Sequence, residues 1–142
     1  MYDIQAFGGD VKRGKKSLRR KLVEQADKVF SLLVRALAKK EYNGICPFCK
    51  ERPIECCFHF VTRAKHIVRW DLTNAVGSCN IDNYKMEWNP HPYIKWYLDK
   101  FGLEAYENLV LRSNRIAKFN TDELENIIKS CEDKLRDMGE DK

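Results

Sequence analysis

The sequence predicts an α+β fold in which a small, cysteine-rich core lies between N-terminal and C-terminal α-helices. Residues 17–40 and 89–142 carry apolar residues at helical spacing, whereas residues 45–88 combine cysteine, histidine and β-branched residues without a helical period. The length of 142 residues suits one domain, and a hydrophobic fraction of 44% excludes wholesale disorder. We therefore expect a basic flexible tail over residues 1–16 and a single domain over residues 17–142.

The first helix is predicted over residues 17–40. Its apolar residues recur at steps of three and four from Leu18 to Leu37, and Ser17 is a suitable N-cap. Asn43 and Gly44 predict the turn that follows.

The middle and last thirds of the chain predict different elements. Residues 58–62 are expected to form a strand, and residues 71–83 a turn followed by a short helix. Pro90 and Pro92 mark the start of a helix that Gly102 ends, and a further helix is expected over residues 103–118. Asn120 and Glu123 have the spacing of a capping box for the last helix.

Charge is distributed unevenly along the chain. Residues 1–70 contain 16 basic and 7 acidic residues, whereas residues 71–142 contain 10 and 14. This asymmetry indicates that the first half contacts a polyanion, most commonly nucleic acid. The candidate phosphate-binding residues of the most basic stretch are Lys12, Arg13, Lys15, Lys16, Arg19, Arg20 and Lys21.

The spacing of the cysteines predicts a metal site. Cys46 and Cys49 form a C-x2-C pair, which is typical of structural zinc sites. Cys79 is expected to be the third ligand, and Asp82 completes a C-x2-D pair as the fourth; Cys56 and Cys57 are alternatives for that fourth place. No apolar run approaches the roughly 20 residues of a membrane span, and the N-terminus does not resemble a signal peptide, so we expect a cytoplasmic protein without a membrane partner.

The segment between the cysteine pairs resembles the bacteriophage recombination protein NinG (Rap) family, a branch of the HNH or ββα-metal nucleases related to endonuclease VII. The resemblance covers roughly residues 20–135. The residues that carry it are His59, Phe60, Val61, Thr62, Arg63, His66, Arg69, Trp70, Asp71, Asn74, Cys79, Asn83, Asn89 and Tyr93. Three positions depart from the family pattern, because Phe58 and Trp88 replace glycine and Asp82 replaces cysteine.

The resemblance implies a zinc-stapled HNH core and a structure-specific DNA endonuclease. Its substrates would be branched recombination intermediates such as Holliday junctions, D-loops and flaps in a phage-infected bacterial cell. Cleavage would use one catalytic Mg²⁺ or Mn²⁺. His59 would be the general base and Asn83 a ligand of the catalytic ion, while Asn74 would hold the loop of His59.

Phe58 cannot supply the metal ligand that often precedes the base in this family. His66 is the expected substitute, and Asp71 is the alternative. Arg63 and Arg69 are expected to contact phosphates, because a guanidinium binds phosphate oxygens in a bidentate manner.

Two other hypotheses remain. A catalytically inactive zinc-binding module could bind DNA or RNA with the same fold, and a purely structural zinc protein would need no nucleic acid. Symmetric junction cleavage needs two active sites, so a homodimer and phage or host recombination proteins are the expected protein partners.

Overall fold

The structure is a computed structural model that describes residues 15–139, so Lys12 and Arg13 lie outside the described residues. It has mixed α+β architecture, as predicted, with six helices and two strands among these residues. In chain order the elements are α1 (Leu18–Glu41), β1 (Cys56–His59), α2 (His66–Arg69), β2 (Ala75–Ser78), α3 (Asn80–Lys85), α4 (His91–Phe101), α5 (Leu103–Ser113) and α6 (Thr121–Asp137). A single 3-10 turn, Leu72–Asn74, precedes β2.

Helix α1 confirms the first predicted helix to within one residue at each end. The Ser17 hydroxyl accepts a hydrogen bond of 3.1 Å from the amide of Arg20, which satisfies one of the free N–H groups at the helix start. After the helix ends, Asn43 (φ 56°) and Gly44 (φ 81°) adopt left-handed conformations that turn the chain towards the cysteines.

The sheet consists of β1 and β2, which pair antiparallel with Cys56 opposite Ser78 and His59 opposite Ala75. The prediction of a strand over residues 58–62 is wrong at both ends. The side chain of Asn74 binds both the N–H and the C=O of Val61, so this residue is not available for strand pairing. Strand β2 was not predicted, because residues 75–78 lie where a turn and a helix were expected.

Two apolar clusters cover the two faces of this sheet. On one face, α1 and α6 pack against each other. The buried residues of this cluster are Leu22, Ala26, Val29, Phe30, Leu33, Val34, Leu124, Ile128, Cys131 and Leu135. On the other face lies an aromatic cluster whose buried members are Phe58, Phe60, Val68, Tyr93, Tyr97 and Leu109.

Helix α1 lies very close to β2 at Gly77. A Cβ atom at this position would lie 2.7 Å from Cγ2 of Ile54 and 2.8 Å from Cβ of Ala38. Glycine is therefore required here so that the helix can reach the sheet.

The C-terminal helices confirm the predicted end of α4 and the predicted N-cap of α6. Gly102 has φ 94° where α4 ends, and Asn120 and Glu123 form the predicted capping box with hydrogen bonds of 2.8 and 2.9 Å. Helix α5 ends at Ser113 and not at residue 118, and the Ser113 hydroxyl donates to the carbonyl of Val110 at this end. Among residues 15–139, none of the helices has both the length and the apolar character needed to cross a bilayer.

Candidate metal centre and adjoining cleft

Cys46, Cys49, Cys79 and Asp82 form a cluster that could hold a metal ion. One donor atom from each residue lies within 4.8 Å of all the others. Cys46 and Cys79 are fully buried, and Asp82 is 5% exposed. All four ligand positions predicted from the sequence are therefore brought together.

Local structure positions each member of this cluster. The amide of Cys46 donates to the carbonyl of Arg52, and Lys50 has φ 60°, so the chain turns tightly around the first two thiols. Cys79 is the N-cap of α3, and Asp82 lies in the first turn of that helix. A C-x2-D pair at a helix start thus directs a thiol and a carboxylate to the same point.

The donor spacing suits a single ion. The Sγ atoms of Cys46 and Cys79 lie 3.3 and 3.1 Å from Oδ2 of Asp82. Tetrahedral coordination with ordinary Zn–S and Zn–O bonds places sulfur and oxygen about 3.5 Å apart. Burial raises the pKa of the Cys46 thiol to about 12, so a bound cation is needed to keep this thiol ionised at neutral pH.

Neighbouring side chains orient the carboxylate of Asp82. The Tyr93 hydroxyl donates a 2.7 Å hydrogen bond to Oδ1, which leaves Oδ2 directed at the thiols. Burial alone would raise the pKa of Asp82, but hydrogen bonds from Tyr93, Cys79 and Cys46 bring this pKa below its ordinary value. Arg52 adds a positive charge, with Nε 3.3 Å from Sγ of Cys79.

The two alternative cysteines lie elsewhere. The Cys56 thiol donates to the carbonyls of Ser78 and Cys79 at 3.4 Å. Cys57 lines the cleft described next. Within residues 15–139 the cluster that could hold a metal ion therefore consists of Asp82 with the three predicted thiols.

A cleft of about 710 Å³ opens between α1, β1, the loop after β1 and α3. Three predicted site residues, His59, Arg63 and Asn83, line it. The sequence analysis missed two carboxylates in this cleft, Asp27 and Glu87. The sequence contained an indication of each carboxylate. Asp27 adjoins the apolar face of α1, and Glu87 follows Asn83 by four residues, the spacing of one helical turn.

His59 is held in a defined orientation at the end of β1. Its Nε2 atom lies 2.9 Å from the carbonyl oxygen of Arg69, and a carbonyl only accepts, so Nε2 carries the proton. Nδ1 is then the unprotonated nitrogen. Burial lowers the pKa of His59 below its ordinary value, so the imidazole is neutral at pH 7.

Asn74 holds the loop between the strands. It is fully buried. Its Oδ1 accepts from the amide of Val61 at 2.7 Å, and its Nδ2 donates to the carbonyls of Val61 and Val68 at 2.9 and 3.0 Å. One side chain thus joins both ends of the loop that begins after His59.

Arg69 is not a free phosphate ligand, which corrects its predicted role. Its Nε and Nη2 atoms donate to the two carboxylate oxygens of Asp27 at 2.9 and 2.5 Å, and its side chain is 15% exposed. Arg63 is 58% exposed, with Nη1 3.8 Å from Oδ2 of Asp27, and it remains accessible at the cleft.

The predicted substitute ligands do not lie with Asn83. His66 lies outside the cleft, with its ring against Trp70 and its Nε2 3.3 Å from Nη1 of Arg69. Asp71 binds the amide of Thr73 and pairs with Arg112 on α5. Two carboxylates share the cleft with Asn83: Asp27, which is bound to Arg69, and Glu87.

The basic residues near the start of α1 differ in their availability. Arg19, like Arg69, is not free to bind phosphate as predicted. Its Nη1 atom donates to the carbonyl of Phe119, and the residue is partly buried. Lys16 and Arg20 both pair with Glu24, at 2.7 and 3.5 Å. Lys15 and Lys21 are exposed and carry no ion pair among the residues that the structure describes.

Comparisons of this chain with protein-family models, with curated proteins and with solved structures find no match.

Proposed function

We propose that this protein is a metal-dependent endonuclease that hydrolyses phosphodiester bonds in DNA. The observation that carries the proposal is the state of His59 in the cleft: its Nε2 proton is bound to a backbone carbonyl, and burial keeps the ring neutral. A neutral imidazole with an unprotonated Nδ1 is the form that can accept a proton from water.

The residues of the cleft supply the parts of such a reaction. His59 Nδ1 takes a proton from the water that attacks phosphorus, while its Nε2–H stays on the carbonyl of Arg69. The bond between phosphorus and the 3′ oxygen breaks, and the oxygen leaves with a proton from solvent. Arg63, exposed at the cleft, contacts the phosphate oxygens and offsets their charge.

Asn83 and Glu87 would hold a catalytic Mg²⁺ or Mn²⁺. Both line the cleft, and their oxygen atoms are the donors that these hard cations prefer; Mg²⁺ commonly uses one or two carboxylates and keeps several waters. When bound, the ion neutralises charge on the phosphoryl group and the leaving oxygen. Glu87 replaces His66 in this proposal because only Glu87 shares the cleft.

Zn²⁺ is the ion we propose for the cysteine cluster. Three thiolates and one carboxylate suit a borderline-soft, tetrahedral ion, and a closed four-ligand set is typical of structural sites. The ion would join the turn of residues 46–52 to α3, the helix that carries Asn83 and is followed by the turn that carries Glu87.

Branched recombination intermediates are the proposed substrates, in the cytoplasm of a phage-infected bacterium. This part rests on the resemblance of residues 20–135 to the NinG family and on the basic first half of the chain. Recombination proteins and a second copy of the chain are the proposed protein partners.

The test is to incubate the purified chain with a four-way junction, a flap and a plain duplex, in Mg²⁺ or in EDTA. We expect cleavage of the branched substrates that requires the divalent ion, and loss of that cleavage in His59→Ala. His91→Ala, which removes an exposed histidine at the start of α4, is the matched control. Equal cleavage by His59→Ala and the parent would contradict the proposal.

A zinc-binding module that binds nucleic acid without cleaving it is the second candidate. One observation favours it: Phe58 is fully buried in the aromatic cluster, so no metal-binding side chain directly precedes His59. This candidate would be supported over the nuclease if the chain bound a junction in a salt-sensitive manner and left its strands uncut in Mg²⁺ and in Mn²⁺.

A further inference from the structure

We propose that Asp27 on α1 is a positioning residue, which determines through Arg69 and Trp70 which nitrogen of His59 carries the proton. The catalytic meaning of this inference rests on the proposed function. The inference itself concerns the protonation state of one imidazole, and this state can be measured without any cleavage assay.

The carboxylate of Asp27 binds side chains on both sides of one peptide group. Its Oδ1 accepts from Nε of Arg69 and from Nε1 of Trp70, each at 2.9 Å, and its Oδ2 accepts from Nη2 of Arg69 at 2.5 Å. The peptide group between Arg69 and Trp70 contains the carbonyl that accepts the His59 proton at 2.9 Å. Asp27 therefore anchors this carbonyl through the residues that flank it.

Little else in the backbone fixes this carbonyl. Helix α2 is one turn long, and Arg69 is its last residue, so the carbonyl of Arg69 lies among the helix-end groups that lack an intrahelical partner. Asn74 binds the preceding carbonyl, that of Val68. The side-chain contacts of Arg69 and Trp70 with Asp27 thus determine where the Arg69 carbonyl points.

Helix α1 also restricts the ring of His59 directly. Phe30 lies one turn after Asp27, and its ring centroid is 5.9 Å from that of His59. The imidazole is therefore confined between an aromatic ring and a carbonyl that are both positioned by α1. If the carbonyl moves, the ring loses the acceptor that selects the Nε2–H tautomer and leaves Nδ1 unprotonated.

The chain offers a matched control for a role that is only structural. Asp71 and Arg112 form a second partly buried ion pair, which joins the end of the same interstrand loop to α5. The hydrogen bonds of the Asp71 carboxylate go to Thr73 and Arg112, whereas those of Asp27 go to Arg69 and Trp70. Loss of this pair should affect stability much as loss of the Asp27 pair does, but it should leave the imidazole unchanged.

The experiment is nitrogen-detected NMR of the histidine side chains at pH 7.5 in the full chain, in Asp27→Asn and in Asp71→Asn. The parent is expected to hold His59 in the Nε2–H tautomer. Asp27→Asn should raise the share of the Nδ1–H tautomer, and Asp71→Asn should not. In the cleavage assay, Asp27→Asn should lower kcat by about 10-fold to 10⁴-fold, as wrong-tautomer variants do elsewhere, with KM nearly unchanged.

Trp70→Phe is the second variant, because it keeps an aromatic ring and removes the Nε1 donor to Asp27. It should shift the tautomer in the same direction as Asp27→Asn and by less, so the test stands if Asp27→Asn does not fold. An unchanged His59 tautomer in a folded Asp27→Asn or Trp70→Phe protein would overturn the inference, as would an Nδ1–H tautomer in the parent. If the parent protein cleaves no substrate, the nuclease proposal is wrong. The inference about Asp27 is then still decided by the tautomer measurement.

Discussion

The hydroxyl of Tyr93 donates a 2.7 Å hydrogen bond to Oδ1 of Asp82, and this contact joins the aromatic cluster to the metal-binding group. Tyr93 is 5% exposed and packs against Phe58 with ring centroids 5.2 Å apart. The carboxylate is therefore oriented by α4 before any ion binds. Metal content and packing of the aromatic cluster should consequently change together.

Cys49→Ser should remove the metal and lower the stability of the fold. Structural zinc contributes roughly 10–16 kcal/mol of apparent binding free energy in small zinc-finger peptides, and most of that is folding free energy. Elemental analysis and thermal unfolding with and without a chelator measure both effects. Cys56→Ser is the control, because that thiol bonds to backbone carbonyls outside the cluster. About one zinc per chain in Cys49→Ser would contradict the assignment.

Replacing Asp82 tests the fourth ligand. Asp82→Cys should keep or tighten zinc binding, since thiolate is the commoner partner, whereas Asp82→Ala should weaken it. Competition with a chromogenic chelator measures the affinity. Tyr93→Phe should have a smaller effect, of about 10-fold, because it removes only the group that orients the carboxylate. Release of zinc by Cys57→Ser but not by Asp82→Ala would show that the wrong residue is assigned.

The cleavage rate should depend on pH through His59. Only the neutral ring can accept a proton, and burial lowers the pKa of His59 below its ordinary 6.5. The rate should therefore rise with pH below about 6.5 and level off near neutrality. Measurement of kcat/KM on a branched substrate between pH 5 and 8 gives the profile.

The same pKa shift has a consequence for stability. A lowered pKa means that the unfolded chain binds the proton more tightly than the folded chain. The contribution of His59 is thus fully present above about pH 6.5 and is lost as the pH falls through the folded-state pKa. Denaturant titrations of His59→Gln should show a weaker decline over this range than those of the parent, and an identical decline would contradict the assignment.

The basic residues of α1 should separate into two groups in binding experiments. Lys21→Gln removes an exposed charge and should reduce the log–log slope of DNA affinity against salt by about 0.9 for one lost duplex phosphate contact. Arg19→Gln should leave that slope nearly unchanged and lower stability, because Arg19 binds the carbonyl of Phe119. Equal slopes in the parent and Lys21→Gln would place the DNA footprint elsewhere.

Gly77→Ala should destabilise the fold by about 1–3 kcal/mol, because its methyl group would overlap Ile54 and Ala38. Ala38→Gly alone should cost about 1 kcal/mol through helix propensity. The double variant should lose less than the sum of the two single effects, since one overlap is relieved. Free energies of unfolding from denaturant titration provide the test, and simple additivity would argue against the overlap.

Features determined by neighbouring residues could be predicted from the sequence. Ser17, Gly102 and the pair of Asn120 and Glu123 act on backbone groups a few positions away, and each helix end was found where they indicated. The C-x2-C spacing likewise predicted that Cys46 and Cys49 lie together, because this pair lies on one short turn.

Features determined by distant residues could not be predicted. Residues 75–78 include a glycine and form a strand because they pair with β1. Arg69 was expected to contact phosphate, but a carboxylate that lies 42 positions earlier in the chain binds it. Spacing also could not decide between Asp82, Cys56 and Cys57, since that choice depends on how β1 and β2 align.

Helix α1 and its partner α6 are made at very different times during synthesis. Arg19 and Phe119, which join the start of α1 to the segment before α6, are 100 residues apart. At 5–20 residues per second, a ribosome needs about 5–20 s to complete that interval. Throughout it, the face of α1 that carries Leu22 and Leu33 lacks the residues of α6 that cover it in the folded chain. A chain that ends before residue 121 would leave this apolar face of α1 uncovered.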